Sequence, residues 1–215
     1  MRAAFVLYPG FTALDLVGPF EVLTFVPGVT TLLVSEHGGP VTSEAPQLAL
    51  ADSLPLDEVP APDLVLVPGG PGQADQMDDG PLHAWLRAAD RSATWMTSVC
   101  TGSLILAAAG LLEGRRATTH WLAADQLARY GATHSDERVV VDGKYVTGAG
   151  VSAGIDLALR LTEQIAGPDA AQLRQLSIEY APEPPYAAGS PHTAPPHVVQ
   201  TLLDRKDASL SGGAA

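Results

Sequence analysis

Apolar residues occur along this chain in short continuous runs, and helix-like stretches lie between them. The runs typical of buried strands lie at 3–8, 30–35, 63–67, 93–99, 138–141 and 144–147. The helix-like stretches lie at 81–91, 101–109, 120–130, 153–166 and 169–180, and one more starts at residue 12. Strands that are apolar throughout are buried on both faces, which is typical of parallel sheets covered by helices. We therefore predict a doubly wound α/β fold with a mostly parallel central sheet.

Proline and glycine refine this pattern. Pro19 lies early in the first helix, where it fits a first-turn position or a kink. Asp142-Gly143 is the turn of a predicted hairpin. Residues 41–54 indicate weak strands and loop. From Ala181 the chain is rich in Pro, Ala, Gly and Ser, and we expect this segment either to form a surface loop or to wrap a neighbouring subunit.

The composition of the chain limits its domain organisation and the kinds of partner that it can bind. The length of 215 residues and the hydrophobic fraction of 46% suit one domain, which we place at 1–203, with a disordered tail at 204–215. The net charge is −12 and no run is rich in Lys or Arg, so we expect neither nucleic acid nor an anionic membrane as a partner. No apolar span reaches 18 residues, which predicts no membrane helix. A single cysteine cannot form an internal disulfide, so we expect a cytoplasmic protein.

Histidine and glycine patterns bear on cofactors. None of the six histidines pair at zinc-ligand spacing, and one cysteine excludes a cysteine-rich metal site. Neither the dinucleotide fingerprint nor the P-loop pattern is present. We therefore expect no metal and no organic cofactor. His120, at the start of a predicted helix, is either a base or a structurally hydrogen-bonded side chain, and we prefer the structural interpretation.

Cys100 stands where a predicted strand meets a predicted helix, and small residues follow it at once. A sharp turn there would hold the thiol above the sheet, as in a nucleophile elbow, although the G-x-S-x-G pattern is absent. Backbone N–H groups at the start of the next helix would favour the thiolate. The alternative is a buried structural cysteine, which is common.

Asp15 follows the first strand and has apolar neighbours on both sides. It is either an exposed residue on a helix surface or a buried functional acid, and the apolar neighbours weaken the exposed alternative. If it lies against Cys100, two ionised groups would oppose each other. The pair would then share one proton.

The stretch PGGPG at 68–72 closes another predicted strand. Its glycines, Gly69 and Gly70, allow backbone N–H groups to approach a ligand and to form an oxyanion hole. A tight turn without a binding role is the alternative. In a doubly wound fold the strands before Asp15, Gly69 and Cys100 end at one edge of the sheet, where chemistry gathers.

Several longer segments together are similar to the DJ-1/PfpI superfamily, over residues 3–186. The segments that carry the resemblance are FVLYPGFTALDLVGPFEVL, DLVLVPGGPG, SVCTGSLILAAAGLLEGRRATTHW and VTGAGVSAGIDLALRL. The resemblance implies a flavodoxin-like α/β sandwich, a cysteine nucleophile on an elbow and a homodimer.

Two positions narrow the resemblance to one branch of that superfamily. Many members carry a glutamate where this chain has Asp15, and protease-like members carry a histidine where it has Thr101. Cys100-Thr101 with an aspartate, together with residues 178–191, resembles the isocyanide (isonitrile) hydratases. This implies a hydro-lyase that converts a small-molecule isocyanide to an N-substituted formamide through a thioimidate on Cys100. Asp15 would be the general acid and base, and Thr101 would orient it. Substrate-binding positions implied by the motif neighbourhood are Gly69, Gly70, Phe11, Leu14, Trp121, His120 and residues near Val151.

Other functions stay open at this point. A glyoxalase- or deglycase-like enzyme of the same superfamily would act on carbonyl compounds. Cys100 could instead be an oxidation sensor that forms a sulfinic acid held by Asp15. A ligand-binding module is the third alternative, because regulators with a helix-turn-helix domain carry a similar domain. Two features disfavour a transcription factor: the net charge of −12, and a segment rich in Pro, Ala and Gly where those regulators continue into the helix-turn-helix domain.

Overall fold

The computed structural model describes residues 1–206. The strands are β1 Arg2–Val6, β2 Thr30–Ser35, β3 Val41–Thr42, β4 Ala49–Leu50, β5 Leu54–Pro55, β6 Leu64–Val67, β7 Trp95–Val99, β8 Arg116–Ala117, β9 Thr133–His134, β10 Val139–Asp142 and β11 Tyr145–Gly148. The α-helices are α1 Ala13–Leu23, α2 Pro81–Asp90, α3 Gly102–Ala108, α4 Ala153–Ala166, α5 Pro168–Ser177 and α6 Pro196–Asp204. Short 3-10 helices lie at Leu56–Glu58, Pro71–Gln76 and Trp121–Tyr130.

The central sheet has seven strands in the order β10-β11-β7-β6-β1-β2-β5. Only β10 runs antiparallel to its neighbour within this sheet. The consecutive parallel strands β1, β2, β6, β7 and β11 have the spatial order 2-1-3-4-5, which is the flavodoxin-like doubly wound order. The predicted mostly parallel α/β fold is therefore confirmed.

The inner strands are buried because they are apolar on both faces. All four residues of β6 and all four of β11 are buried, as is β1 after Arg2. The order of strands reverses direction between β1 and β6. In open parallel sheets a crevice forms at such a point, outside the carboxyl ends of the strands. The loops after β1 and β6 meet there, because the N–H of Thr12 donates to the carbonyl of Gly69 at 2.8 Å and the N–H of Gly72 donates to that of Gly10 at 3.1 Å.

Helices α1 and α4 pack closely against each other. A Cβ on Gly154 of α4 would lie 3.0 Å from Cδ of Pro19, and one on Gly18 would lie 3.1 Å from Cγ1 of Ile155. Pro19 is inside α1, beyond its first turn, so the first-turn alternative is wrong. This packing fixes the position of α1, which carries the acid that follows β1.

Three predicted elements differ from the structure. The segment at 120–130 forms 3-10 rather than α-helical turns, since its apolar spacing suits both. Helix α5 covers 168–177 instead of 169–180. The proline-rich segment contains α6, which its composition concealed. Of the predicted tail, residues 207–215 lie outside the described residues. Within residues 1–206, no helix is both long enough and apolar enough to span a bilayer.

Candidate active site

Cys100 is the tight turn between β7 and α3. Its φ angle is +56°, in the left-handed region that residues with a side chain rarely adopt. Its N–H points to the carbonyl of Ala149 at 2.8 Å. Its own carbonyl accepts hydrogen bonds from Thr119 Oγ1 at 3.0 Å and Ser103 Oγ at 3.2 Å. These bonds hold the strained residue, and the predicted elbow is confirmed.

Asp15 is fully buried at the start of α1. The N–H of Gly69 donates to its Oδ2 at 2.8 Å, while within residues 1–206 its Oδ1 has no hydrogen-bond partner. Burial raises the pKa of Asp15 to about 7, the interactions with Gly69 and Cys100 oppose this rise, and the charge of Glu44 adds to it. The buried alternative for Asp15 is therefore the correct one.

The Cys100 thiol interacts with the Asp15 carboxyl, and the residue as a whole is 5% exposed. Burial, and then the charge of Asp15, raise the pKa of the thiol well above its usual value. Backbone N–H groups of Thr101 and Val151 oppose this rise without overcoming it. The N–H group at the start of α3 thus favours the thiolate, as expected, but burial and the charge of Asp15 have the larger effect on the pKa. The pair instead favours the state in which one proton is shared.

Gly69 and Gly70 lie against this pair. The N–H of Gly69 donates to Asp15, and that of Gly70 donates to Oγ1 of Thr101 at 3.1 Å. A Cβ at Gly69 would lie 2.5 Å from the Thr101 nitrogen and 2.9 Å from Asp15 Oδ2. Both N–H groups are thus engaged, which corrects the expectation of an oxyanion hole. The N–H groups directed at the sulfur are those of Thr101 and Val151.

A cavity of about 500 Å³ opens onto the thiol. The residues that line it are Thr12, Ala13, Leu14, Glu44, Gly70, Pro71, Cys100, Thr101, His120, Trp121, Leu122, Val151 and Leu202. Leu14, Trp121 and Val151 stand on its wall, as the motif neighbourhood implied. Phe11 is 1% exposed and belongs to the hydrophobic core, so its expected place on the wall is wrong.

His120 forms the structural hydrogen bond of the preferred interpretation and also lines the cavity. Its Nδ1 accepts a hydrogen bond from the N–H of Leu122 at 3.3 Å, which caps the following 3-10 helix. Burial lowers the pKa of His120, so the ring is neutral near pH 7. A neutral ring that accepts at Nδ1 carries its proton on Nε2. The ring therefore has a structural bond and also lines the cavity.

Tyr8 and Glu44 belong to the site although sequence reasoning missed them. Tyr8 donates from its hydroxyl to the carbonyl of Pro68 at 2.8 Å. Burial raises the pKa of Tyr8, and so do the nearby charges of Asp15, Cys100 and Glu44. Tyr8 ends the first apolar run and could have been found by its position at the carboxyl end of β1. Glu44 follows a two-residue strand, and no local signal marks it.

A buried carboxyl beside a thiol on a strand-to-helix turn defines the class: an α/β protein with a cysteine elbow. Among the described residues, no group of three His, Cys, Asp or Glu side chains is arranged to hold a metal ion. The DJ-1/PfpI family model matches residues 1–164, and the chain belongs to this family.

Individual relatives resemble the chain over most of its length. It is 45% identical to isonitrile hydratase of Pseudomonas putida over 210 residues, which are 98% of this chain and 92% of that enzyme. It is 35% identical to the HTH-type transcriptional regulator CdhR of Pseudomonas aeruginosa, over 78% of this chain but 51% of the regulator. The crystal structure of a THiJ/PfpI family protein from Pseudomonas syringae superposes with a TM-score of 0.93 at 37% identity, covering 98% of this chain and 88% of that one.

Proposed function

We propose that this protein is an isocyanide hydratase, a hydro-lyase that adds water to R–N≡C and releases the N-substituted formamide. The observation that carries the proposal is the buried Asp15–Cys100 pair, in which Cys100 lines a cavity and Asp15 lies behind it. The near full-length similarity to isonitrile hydratase supports it. The Cys100-Thr101 sequence also lacks the Cys-His unit that a protease of this family would use.

The first step forms a covalent intermediate. In the resting pair the thiol carries the proton and Asp15 is a carboxylate. Asp15 takes the thiol proton as Cys100 Sγ attacks the terminal isocyanide carbon, and it delivers that proton to the same carbon. One S–C and one C–H bond form, the N≡C bond becomes C=N, and the product is the thioimidate Cys100–S–CH=N–R. Proton transfer by a positioned acid or base contributes about 10²–10⁴-fold.

The second step hydrolyses the thioimidate. Asp15 takes a proton from a water molecule while the water oxygen attacks the thioimidate carbon. Asp15 then passes that proton to the substrate nitrogen. The tetrahedral adduct then expels the sulfur, and its hydroxyl proton returns to the thiolate through Asp15. The net change is R–N≡C plus water to R–NH–CHO, with no change in overall oxidation state and the resting pair restored.

The neighbours of the pair support these roles. The N–H of Gly69 occupies Oδ2 of Asp15, which leaves Oδ1 to carry the moving proton. The N–H groups of Thr101 and Val151 stabilise negative charge on the sulfur when it leaves. Thr101 is held through its Oγ1 by the N–H of Gly70, so its position beside Asp15 is fixed.

The test is formamide production from cyclohexyl isocyanide by the wild type, Cys100→Ala and Asp15→Asn. We expect turnover by the wild type, none with Cys100→Ala and a loss of at least about 100-fold with Asp15→Asn. Failure of the wild type to exceed the buffer rate would overturn the proposal. The same protein would then be assayed with methylglyoxal and titrated with peroxide, with mass detection at Cys100.

We also propose that the protein is a homodimer. Helices α1 and α5 expose apolar side chains, including Val17, Leu173 and Leu176, and the last two are 70% and 76% exposed. Apolar groups in such numbers on neighbouring helices favour burial by a partner. Sedimentation equilibrium should give twice the chain mass, and a monomer at micromolar concentration would contradict this.

A cytoplasmic location is proposed on different grounds. Cys100 is a free thiol, and the proposed mechanism requires it to stay reduced. Reducing compartments maintain such thiols, whereas oxidising ones do not. Cell fractionation with an antibody against the protein tests the location directly.

A further inference from the structure

The charges around the cavity are of one sign. Its wall carries the exposed carboxylate of Glu44, the indole of Trp121 and a neutral His120. Among the described residues that line it, none is Lys or Arg, and the sequence of residues 207–215 contains neither. A substrate that enters therefore meets a carboxylate and an aromatic ring, with no cation opposite them.

Glu44 is fixed in place although it is exposed. Its Oε2 accepts a hydrogen bond from Oγ1 of Thr12 at 2.9 Å. Its own N–H donates to the carbonyl of Phe11 at 2.9 Å. Both bonds tie the residue to the loop after β1, directly before Ala13 and Leu14, which begin α1 and line the cavity. The carboxylate is thus a built part of the wall.

This arrangement discriminates between substituents of different charge. A carboxylate on the substrate would approach Glu44 and Asp15 without a compensating cation, which like-charge repulsion disfavours. A quaternary ammonium would be attracted by Glu44 and could lie on the face of Trp121, since both interactions favour a cation. The isocyanide group itself is neutral, so the substituent alone supplies this discrimination.

We propose that Glu44 determines substrate specificity, so that the cavity takes isocyanides with a cationic or neutral N-substituent and excludes those with an anionic one. This inference rests on the proposed hydratase function. It assigns Glu44 a role in binding the part of the substrate that does not react. Asp15 and Cys100 keep the chemical steps.

The experiment compares kcat/KM for three synthetic isocyanides. The substituents are 3-(trimethylammonio)propyl, its neutral isostere 4,4-dimethylpentyl, and 3-carboxylatopropyl. The readout is the ratio of kcat/KM for the ammonium compound to that for the neutral isostere. Any effect of a variant on the shared chemical step cancels in this ratio. In Glu44→Gln we expect the ratio to fall about fivefold, the upper range for an exposed ion pair, and turnover of the carboxylate compound to rise.

Two controls separate the possible outcomes. Glu58→Gln removes the same charge from an exposed residue outside the cavity wall and should leave the ratio unchanged. In the wild type, raising the salt concentration from 0.01 M to 1 M should lower the ratio, because the Debye length falls from about 30 Å to about 3 Å. This salt arm needs no variant to fold.

The inference is overturned if Glu44→Gln keeps the wild-type ratio, if Glu58→Gln changes it equally, or if the ratio ignores salt. The neutral isostere tests the function separately. If that compound is turned over but the enzyme does not discriminate by charge, the proposed hydratase function is retained and the proposed role of Glu44 is wrong. If neither the neutral isostere nor cyclohexyl isocyanide is turned over, both the hydratase function and the role of Glu44 are wrong.

Discussion

The ionisation of Asp15 controls how many protons the Asp15–Cys100 pair of the proposed mechanism holds near neutral pH. The resting state of the proposed mechanism needs one proton on the pair, and a second proton on Asp15 removes the base. Because burial raises the pKa of Asp15 to about 7, kcat/KM for a neutral isocyanide should fall below that pH. A pH–rate profile checks this, and an acid limb near 4 would contradict it.

The charge of Glu44 should move that limb. Glu44 adds to the elevation of the Asp15 pKa, so Glu44→Gln should lower this pKa and shift the limb to lower pH. The titratable groups around Asp15 also include Cys100 and Tyr8, and both stay protonated over this range because their pKa values are raised. Glu58→Gln serves as the charge-matched control. An acid limb that stays in place in Glu44→Gln would contradict the prediction.

The carbonyl of Cys100 provides a third prediction at the residue scale. Thr119 donates to it from a buried hydroxyl, and valine keeps the side-chain shape while removing the donor. We expect Thr119→Val to lower the free energy of unfolding by about 0.5–1.5 kcal/mol, the net value of one hydrogen bond, because Ser103 still donates to the same carbonyl. Ser103→Ala removes the longer bond to the same carbonyl and should cost less. Urea unfolding measures both, and the reverse order would contradict the argument.

At the scale of elements, the contact between α1 and α4 places the acid. A Cβ on Gly154 would meet Pro19 Cδ at 3.0 Å and Val99 Cγ2 at 3.3 Å. Gly154→Ala should therefore push α1 outward, lower the free energy of unfolding by about 1–3 kcal/mol and reduce kcat. Gly189→Ala is the control, because nothing lies within 4 Å of its Cβ. Activity and urea unfolding are measured on both variants. Wild-type kcat and stability in Gly154→Ala would contradict the argument that the close packing of α1 against α4 positions Asp15.

The elements also show where sequence reasoning works and where it stops. β6 was predictable because Leu64–Val67 is apolar throughout and ends at Pro68, and Cys100 was marked by its place after β7. The N–H groups of Gly69 and Gly70 could not be assigned, since both partners are distant in sequence. Glu44 reaches the site because the backbone of Thr42 and Glu44 is hydrogen-bonded to the loop after β1, which only the tertiary structure specifies.

At the scale of the whole molecule, one buried acid makes stability depend on pH. The folded state holds the Asp15 proton more tightly than the unfolded chain, because its pKa rises from 3.8 to about 7 on folding. The bound proton makes its full contribution to the free energy of unfolding below about pH 4. This contribution is lost as the pH rises to about 7. A tenfold change in proton affinity corresponds to about 1.4 kcal/mol, so the loss between pH 5 and pH 8 is on the order of 2 kcal/mol.

Asparagine cannot ionise, and Asp15→Asn should therefore gain stability relative to the wild type by that amount over this range. Other titrating groups cancel in the difference between the two proteins, which urea unfolding at pH 5 and pH 8 measures. A difference that is independent of pH would mean that Asp15 ionises in the folded protein as it does in the unfolded chain, and the shared proton of the catalytic pair would then have no support.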